Sequence, residues 1–263
     1  MIKLNDQIIT PEQFGDGTLK CEIPKLPLQI GIGGQDTKRI SWFYDNDSEL
    51  FLLICLVDWL KEYYPSAPRH LFMPYVPHAR QDREVSFRLF TLKSFAKIIN
   101  SLGFERVLYC DPHSDVTCAL IDRGDYTYSP FMVSYADYAV MYPDAGAAKK
   151  YSSFENVKSP IIGNKHRDKN GRIESYDLIN FVEGTKRVII RDDICSYGGT
   201  FVAAAKELRK RGVEEIILVV THCENNILKG DVLKYIDKVF TTDSILTVSH
   251  PNIIVAKSFR HDD

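Results

Sequence analysis

The sequence has no long apolar run, no surplus of charge and no signal for export. Its longest apolar stretch, residues 50–60, is interrupted by Asp58 and is too short to span a bilayer. The first residues lack the apolar core of a signal peptide. The 33 basic and 35 acidic side chains nearly cancel, which excludes a general attraction to nucleic acid or to an anionic membrane. We therefore expect a cytoplasmic protein with no nucleic-acid or membrane partner.

The sequence also lacks paired cysteines and is not rich in glycine or proline. No C-x-x-C pair is present, which argues against a zinc knuckle or a redox motif. With 15 glycines and 12 prolines among 263 residues, and 44% hydrophobic residues, the composition indicates one large or two small globular domains. Most of the cysteines lie in apolar runs, so we interpret them as reduced and structural. They are Cys21, Cys55, Cys110, Cys118, Cys195 and Cys223.

The apolar pattern alternates between helical and extended periodicity, which predicts an α/β fold with mainly parallel sheets. The predicted helices cover residues 50–64, 91–102 and 200–210; the predicted strands cover residues 70–74, 106–110, 188–190 and 216–220. The last of these helices carries Phe201, Ala204, Ala205 and Leu208 on one face, which we expect to be buried.

A weak internal repeat indicates two similar α/β domains. Gly103 precedes a strand-like run that leads to His113, and Gly212 precedes a similar run that leads to His222, with ten residues from glycine to histidine in each case. Each glycine follows an amphipathic helix, where glycine commonly ends the helix. We predict an N-terminal domain of residues 1–124 and a C-terminal domain of residues 125–263.

The segment from Val188 to Thr200 has the pattern of a phosphate-binding loop. A buried strand leads into Asp192 and Asp193, and then into Ser196, Tyr197, Gly198, Gly199 and Thr200 at a helix start. Glycines allow the backbone to approach an anion, and a helix N-terminus carries partial positive charge. The two carboxylates are unsuited to phosphate, so we expect them to face hydroxyls or a divalent cation. A ribose phosphate would suit the whole segment, with its phosphate at the glycine turn and its hydroxyls at the carboxylates. The alternative interpretation is a plain strand-to-helix turn that binds no ligand.

Several motifs together resemble the ribose-phosphate diphosphokinase family, which makes phosphoribosyl diphosphate. Residues 73–83, Met-Pro-Tyr-Val-Pro-His-Ala-Arg-Gln-Asp-Arg, are similar to its long Pro-Tyr-x-Pro-Tyr-Ala-Arg-Gln-Asp segment. The Asp192–Thr200 loop resembles the ribose-phosphate loop of the wider phosphoribosyltransferase superfamily. Shorter matches occur in the family order at residues 14–17, 111–114, 143–146 and 165–167. The resemblance implies two phosphoribosyltransferase-like domains.

The resemblance also implies roles for individual residues. Lys165 and Arg167 would be catalytic, on a mobile loop, and would stabilise charge on the transferred phosphoryl groups. Phe14, Asp16, Arg80, Gln81 and His113 would bind ATP, with Phe14 and Asp16 reaching it from a neighbouring subunit of a dimer or hexamer. His113 and Asp144 would contact Mg²⁺ or the metal-bound phosphates. Asp192, Asp193 and residues 196–200 would hold the ribose phosphate.

The sequence departs from the family pattern in three places. It begins close to Phe14 and ends soon after residues 255–258, so we expect the family's opening strand and helix and its final helix to be absent. Thr18 stands where the family has glutamate, which removes a hydrogen-bond acceptor. Ser196 and Tyr197 stand where the family has Asp-Thr.

Tyr197 leaves the identity of the acceptor open. An aromatic ring in a phosphate loop can stack on a base, which favours an acceptor extended at its 5-position, such as ADP-ribose. Its diphosphorylated product could then accept nicotinamide to give NAD. If the Tyr197 ring instead points to solvent, the acceptor is ribose 5-phosphate.

We therefore predict a Mg²⁺-dependent enzyme that transfers the diphosphoryl group of ATP to the anomeric hydroxyl of a ribose phosphate and releases AMP. Two other functions stay open: a transferase that consumes phosphoribosyl diphosphate, and an inactive regulatory relative of the enzyme.

Overall fold

The chain divides into two compact units, Met1–Tyr128 and Ser129–Asp263. The computed structural model describes residues 1–26, 36–128, 137–155, 157–167, 173–256 and 259–260. Each unit contains one main sheet of largely parallel strands with helices against it, which confirms the α/β fold expected from the alternating pattern.

The first unit is built on a six-stranded sheet with the order β2-β1-β5-β6-β7-β8. Strands β5 to β8 are parallel, and β1 and β2 add an antiparallel edge. A separate hairpin pairs β3 with β4. The strands are β1 (Ile2–Leu4), β2 (Gln7–Ile9), β3 (Glu12–Gln13), β4 (Leu19–Lys20), β5 (Lys38–Trp42), β6 (Arg69–Met73), β7 (Arg106–Cys110) and β8 (Gly124–Thr127); the helices are α1 (Ser48–Tyr63), α2 (Thr91–Ser101) and α3 (Asp115–Leu120).

Two expectations about this unit need correction. The family's opening strand was expected to be absent, but β1 and β2 both precede Phe14, and β1 pairs with the parallel part of the sheet. The short run Ile2–Leu4 is fully buried, which is why it joins the core. The predicted domain boundary after residue 124 falls at the start of β8, and this strand pairs with β7 in the first unit.

The second unit is built on a seven-stranded sheet with the order β11-β10-β9-β12-β13-β14-β15. All neighbouring strands are parallel except β10 and β11, which form an antiparallel hairpin. The strands are β9 (Ala139–Tyr142), β10 (Ile161–Arg167), β11 (Ile173–Ile179), β12 (Arg187–Cys195), β13 (Glu215–Cys223), β14 (Lys238–Thr242) and β15 (Ile253–Ala256); the helices are α4 (Ala145–Glu155), α5 (Gly199–Lys210), α6 (Val232–Tyr235) and a 3₁₀ turn, Asn225–Lys229.

The internal repeat corresponds to equivalent helix-to-strand connections in the two units. Gly103 follows α2 with φ 73° and Gly212 follows α5 with φ 82°, so both occupy the left-handed conformation that favours glycine after a helix. The two histidines differ, because His113 is exposed beyond the end of β7 whereas His222 is buried within β13. The predicted apolar face of α5 is buried in the second core.

None of the described helices combines the length and the apolar character that crossing a bilayer requires. The described cysteines are all free thiols, and Cys110, Cys195 and Cys223 are buried.

Candidate active site

The candidate site lies where β9 and β12 are neighbours in the second sheet. At this point the order in which the chain adds strands to the sheet reverses. From β9 the chain continues to β10 on one side, while β12 lies on the other side. In open parallel sheets such a reversal leaves a crevice beyond the carboxyl ends of the strands, where ligands commonly bind. Asp144 follows the end of β9, and the turn of residues 196–198 follows the end of β12. The strand order therefore brings these two predicted segments to one edge of the sheet.

Lys165 is held against Asp144 at this edge. Its Nζ lies 2.7 Å from Asp144 Oδ2, and the side chains are 25% and 35% exposed. The other carboxylate oxygen of Asp144 accepts a 3.0 Å hydrogen bond from the Ala147 N–H in the first turn of α4. Burial opposes ionisation of Asp144, but these hydrogen bonds outweigh it and hold the pKa of Asp144 below its ordinary value. The structure thus presents an ionised carboxylate paired with the predicted catalytic lysine.

Lys165 lies in a strand, where the resemblance implied a mobile loop. Residues 161–167 form β10, and Lys165 is paired with Tyr176 of β11. The register shifts between His166 and Arg167, and the backbone of Arg167 still pairs with that of residue 173. The Arg167 side chain lies outside the described residues, so its predicted convergence with Lys165 stays a prediction.

Tyr176 links the lysine strand to the Asp144 loop, a role that the sequence analysis missed. Its hydroxyl donates a 2.8 Å hydrogen bond to the carbonyl oxygen of Pro143, the residue before Asp144. Burial and the charges of Asp144 and Asp192 raise the pKa of Tyr176 above its ordinary value. Gly163 leaves room for this contact, since a Cβ there would lie 1.9 Å from the Tyr176 hydroxyl. Only the strand pairing could have indicated this contact.

Asp192 and Asp193 lie together at the end of β12. The Asp193 N–H donates a 2.9 Å hydrogen bond to Asp192 Oδ1. Burial, the neighbouring charge of Asp193 and the charge of Asp144 raise the pKa of Asp192 well above its ordinary value. Carboxyl groups this crowded favour ligands that donate hydrogen bonds to them.

The strand before this acidic pair is fixed by a buried ion pair. Arg191 Nε lies 3.0 Å from Glu155 Oε1, and both side chains are less than one-tenth exposed. The arginine also donates a 2.8 Å hydrogen bond to the carbonyl oxygen of Asp192 and lies over the Tyr151 ring. A buried, fully paired guanidinium of this kind holds the backbone beneath the acidic pair in place.

The turn of residues 196–198 is tightly constrained at its glycine. Gly198 has φ 75°, and a Cβ there would lie 2.0 Å from Val232 Cγ2, so both conformation and space require glycine. Helix α5 begins at the next residue, and its first N–H groups point out of the helix with partial positive charge. Thr200 lies in this first turn. The Tyr197 side chain is 55% exposed.

Ser196 is engaged by Glu224, which the sequence analysis did not single out. Its hydroxyl donates a 2.5 Å hydrogen bond to Glu224 Oε2, and Asn226 donates to the same oxygen at 3.1 Å. Glu224 follows the end of β13, so a carboxylate immediately after a predicted parallel strand was the signal that could have found it.

In the first unit, the loops after β6 and β7 bring Arg80, Gln81 and His113 to one edge. These strands are parallel neighbours, and the Cys110 N–H donates a 3.0 Å hydrogen bond to the Pro74 carbonyl oxygen where they end. Burial raises the pKa of Asp82, but hydrogen bonds with Ser114 and Arg83 and the positive charge of Arg83 have the larger combined effect. The pKa of Asp82 is therefore below its ordinary value. Arg80, Gln81 and His113 are exposed.

Phe14 and Asp16 lie in the turn between β3 and β4. The Phe14 ring is 55% exposed. Asp16 Oδ1 accepts hydrogen bonds from the N–H and the hydroxyl of Thr18, at 2.9 and 2.7 Å, and the Thr18 hydroxyl is the main cause of the lowered Asp16 pKa. Thr18, which replaces the family's glutamate, therefore fixes the Asp16 carboxylate within its own turn.

No group of three or more potential metal ligands lies together among the described residues. Of the two predicted metal contacts, His113 belongs to the first unit and Asp144 to the second. Both Asp144 oxygens already accept hydrogen bonds. A Mg²⁺ site would therefore need most of its ligands from water and substrate phosphates, which is the usual preference of this ion.

Comparison with known proteins gives a consistent result. The family model of the phosphoribosyl transferase domain matches residues 145–260. Ribose-phosphate pyrophosphokinases of Marinomonas sp. (strain MWYL1) and Helicobacter hepaticus are 30% and 31% identical to the chain, over 90% and 94% of its length and 78% and 82% of theirs. The crystal structure of phosphoribosylpyrophosphate synthetase from Mycobacterium smegmatis has the same fold, with a TM-score of 0.73 at 22% identity over 95% of this chain and 85% of that one.

Proposed function

Because the chain belongs to the ribose-phosphate pyrophosphokinase family, we propose that it transfers the diphosphoryl group of ATP to the anomeric hydroxyl of a ribose phosphate and releases AMP. The observation that carries the proposal is the Lys165 ammonium group, fixed by Asp144 at the sheet edge that also carries the ribose-phosphate loop. A cation held there can stabilise negative charge that develops on the transferred group.

We assign the acceptor to the second unit. The backbone of residues 198–200 faces a phosphate with N–H groups at the start of α5, together with the hydroxyl of Thr200. Asp192 and Asp193 accept hydrogen bonds from ribose hydroxyls and orient the anomeric hydroxyl for in-line attack on the β-phosphorus. Lys165 and Arg167 stabilise the charge on the transferred group and on the departing AMP. No covalent intermediate on the protein is required.

We assign ATP to the first unit. The exposed Arg80 offers two N–H donors to phosphate oxygens, and Gln81 can hydrogen-bond the nucleoside. The Gln81 side-chain oxygen accepts a 3.1 Å hydrogen bond from Thr91, which positions its amide group. Phe14, exposed at the tip of a hairpin, would stack on the adenine of a neighbouring subunit. This role requires a homo-oligomer, which size-exclusion chromatography with light scattering would detect.

Mg²⁺ is part of the proposal as the partner of the ATP phosphates. His113 and Asp144 are each proposed to contact Mg²⁺ or the phosphates bound to it, with water and phosphate oxygens completing the shell of the ion. Bound there, the ion would neutralise phosphate charge and polarise the bond to be broken.

The acceptor is either ribose 5-phosphate or a 5-extended ribose such as ADP-ribose, whose diphosphorylated product would serve NAD synthesis. The exposed Tyr197 ring favours the extended acceptor, because stacking on a base contributes about 1–3 kcal/mol. Replacement of Tyr197 by threonine should then weaken use of ADP-ribose far more than use of ribose 5-phosphate. Equal effects on both acceptors would refute the stacking argument.

The testing experiment measures AMP release from ATP and Mg²⁺ with each acceptor separately and identifies the sugar product by mass. Release of AMP with either acceptor supports diphosphoryl transfer and identifies the substrate. If neither acceptor gives AMP, the transferase that consumes phosphoribosyl diphosphate and the inactive regulatory relative become the better explanations.

A further inference from the structure

His78 has a strained backbone, and it lies two residues before Arg80 in the loop assigned to ATP. Its φ is 64°, in the left-handed region that residues with a side chain seldom adopt, although histidine enters it more often than most. Such a conformation costs free energy and persists only where the surrounding contacts fix it, which is common at functional sites. The contacts of the His78 side chain therefore identify what holds this loop in place.

The His78 ring is held between the start of α1 and one face of α2. Its Nε2 lies 3.1 Å from Oδ1 of Asp47, the residue before α1. Its ring centroid lies 5.5 Å from that of the buried Phe95 in α2. The same Asp47 oxygen accepts a 2.9 Å hydrogen bond from the Tyr44 hydroxyl, so the carboxylate is itself oriented. The His78 side chain is only 25% exposed, which shields its side of the pair from solvent.

The backbone of His78 opens a turn that contains both predicted ATP-binding residues. The Gln81 N–H donates a 2.9 Å hydrogen bond to the His78 carbonyl oxygen, which closes the turn. Within it, Ala79 is buried and Arg80 is exposed. At the other end, the Gln81 side-chain oxygen accepts a 3.1 Å hydrogen bond from Thr91 at the start of α2. The turn is thus anchored at its first and at its last residue.

Anchoring at both ends affects how tightly an exposed arginine can bind phosphate. A side chain on a loose loop must be ordered when it binds a ligand, and this ordering lowers the affinity. A turn that is already fixed presents Arg80 in one place, so less conformational entropy is lost on binding. The contacts of His78 therefore contribute to ATP affinity through the turn that follows it.

We propose that Asp47 and His78 are positioning residues for ATP, whose hydrogen bond holds the turn of Arg80 and Gln81 in the conformation that binds the nucleotide. The inference rests on the proposed function, because it concerns the ATP site of that reaction. It predicts a change in ATP affinity with no change in the rate of the chemical step.

Replacement of Asp47 by alanine removes the hydrogen-bond acceptor and leaves His78 in place. The Asp47 side chain does not cap α1, so the helix keeps its own start. We expect the Kd for ATP, measured by isothermal titration calorimetry with Mg²⁺ and without acceptor, to rise about fivefold, and KM for ATP to rise at an unchanged kcat. A fivefold change corresponds to about 1 kcal/mol, the usual contribution of one hydrogen bond. Asp47→Asn, whose amide oxygen can still accept from His78, should restore most of the affinity.

Replacement of His78 by asparagine tests the other partner. Asparagine tolerates the left-handed backbone, but it lacks the ring that contacts Phe95 and the nitrogen that reaches Asp47. The Kd for ATP should rise at least fivefold, and the double variant with Asp47→Ala should bind ATP no more weakly than His78→Asn alone, since both changes remove the same hydrogen bond. The matched control is Asp58→Ala, since Asp58 lies in α1 and pairs with Lys61 on the surface. This control should leave the Kd for ATP unchanged.

The outcomes separate the two proposals. An unchanged Kd for ATP in Asp47→Ala and His78→Asn, or fully additive losses in the double variant, would overturn the positioning role and leave diphosphoryl transfer intact. A fall in kcat at an unchanged Kd would also overturn it. If the variants lose ATP affinity as expected but the wild type releases no AMP with either acceptor, the proposed reaction is overturned and the positioning role stands. A wild type that does not bind ATP would overturn both.

Discussion

Replacement of Lys165 by alanine should separate catalysis from stability. The lysine forms an ion pair with Asp144 in which both side chains keep a quarter or more of their exposure to solvent. Ion pairs screened in this way contribute at most about 1 kcal/mol to the free energy of unfolding. For a protein of this size, such a loss lowers Tm by about 2–4 °C.

The expected effect on turnover is much larger. Removal of a cation that stabilises the transferred phosphoryl group in related chemistry lowers kcat by about 10³–10⁵-fold, which corresponds to about 4–7 kcal/mol at about 1.4 kcal/mol per factor of ten. The loss should appear in kcat more than in KM, because the charge to be stabilised develops in the transition state. Asp144, which loses its main partner, should become easier to protonate.

The assay measures initial rates of AMP release alongside thermal unfolding of each variant. Lys186→Ala is the matched control, since Lys186 forms an exposed 2.6 Å ion pair with Glu214 before β12 and β13. It should keep wild-type kcat. Near-wild-type turnover in Lys165→Ala would refute the assignment of Lys165 as catalytic, and a collapse of Tm by far more than expected would show that its main role is structural.

Three further predictions follow from other contacts. Asp192→Asn should raise Tm at pH 7 and lower activity, because the raised pKa of Asp192 means that its ionisation favours the unfolded chain. The gain in Tm should vanish as the pH falls toward 4, where the carboxyl group is protonated in the unfolded chain as well. The exposed control Asp231→Asn should bring no gain in Tm, since the pKa of Asp231 is lowered. Tyr176→Phe should lower the free energy of unfolding in urea by about 1 kcal/mol, because the Pro143 carbonyl oxygen loses its hydrogen-bond donor. An unchanged urea midpoint would show that this hydrogen bond does not stabilise the fold. Phe14→Ala should raise KM for ATP with an unchanged Tm, since its ring is exposed; an unchanged KM would contradict adenine stacking.

Individual helices and strands of both units could be predicted from local sequence. The helix predicted at residues 200–210 corresponds to α5, and its four predicted apolar positions are buried, because a helical period places them on one face. The strand predicted at residues 106–110 has the same bounds as β7. Local patterns of this kind depend on neighbours within a few residues, which a sequence displays directly.

Contacts between strands could not be predicted from local sequence patterns. The pairing of Lys165 with Tyr176, and of Tyr176 with Pro143, depends on a hairpin register and on the placement of β10 beside β9. The short strands β1 and β2 were missed because three residues carry too little periodicity to identify a strand. Glu224 approaches Ser196 across 28 residues, through the order of strands in the sheet.

Transfer of a diphosphoryl group can be followed directly by tracing an isotopic label from ATP into the products. ATP labelled at the α- or at the β-phosphorus is incubated with Mg²⁺ and each acceptor, and the sugar product and AMP are separated. Attack on the β-phosphorus predicts that the β-label enters the sugar product and that the α-label stays in AMP. Formation of ADP with transfer of the γ-phosphoryl group alone, or no labelled sugar product with either acceptor, would contradict the account.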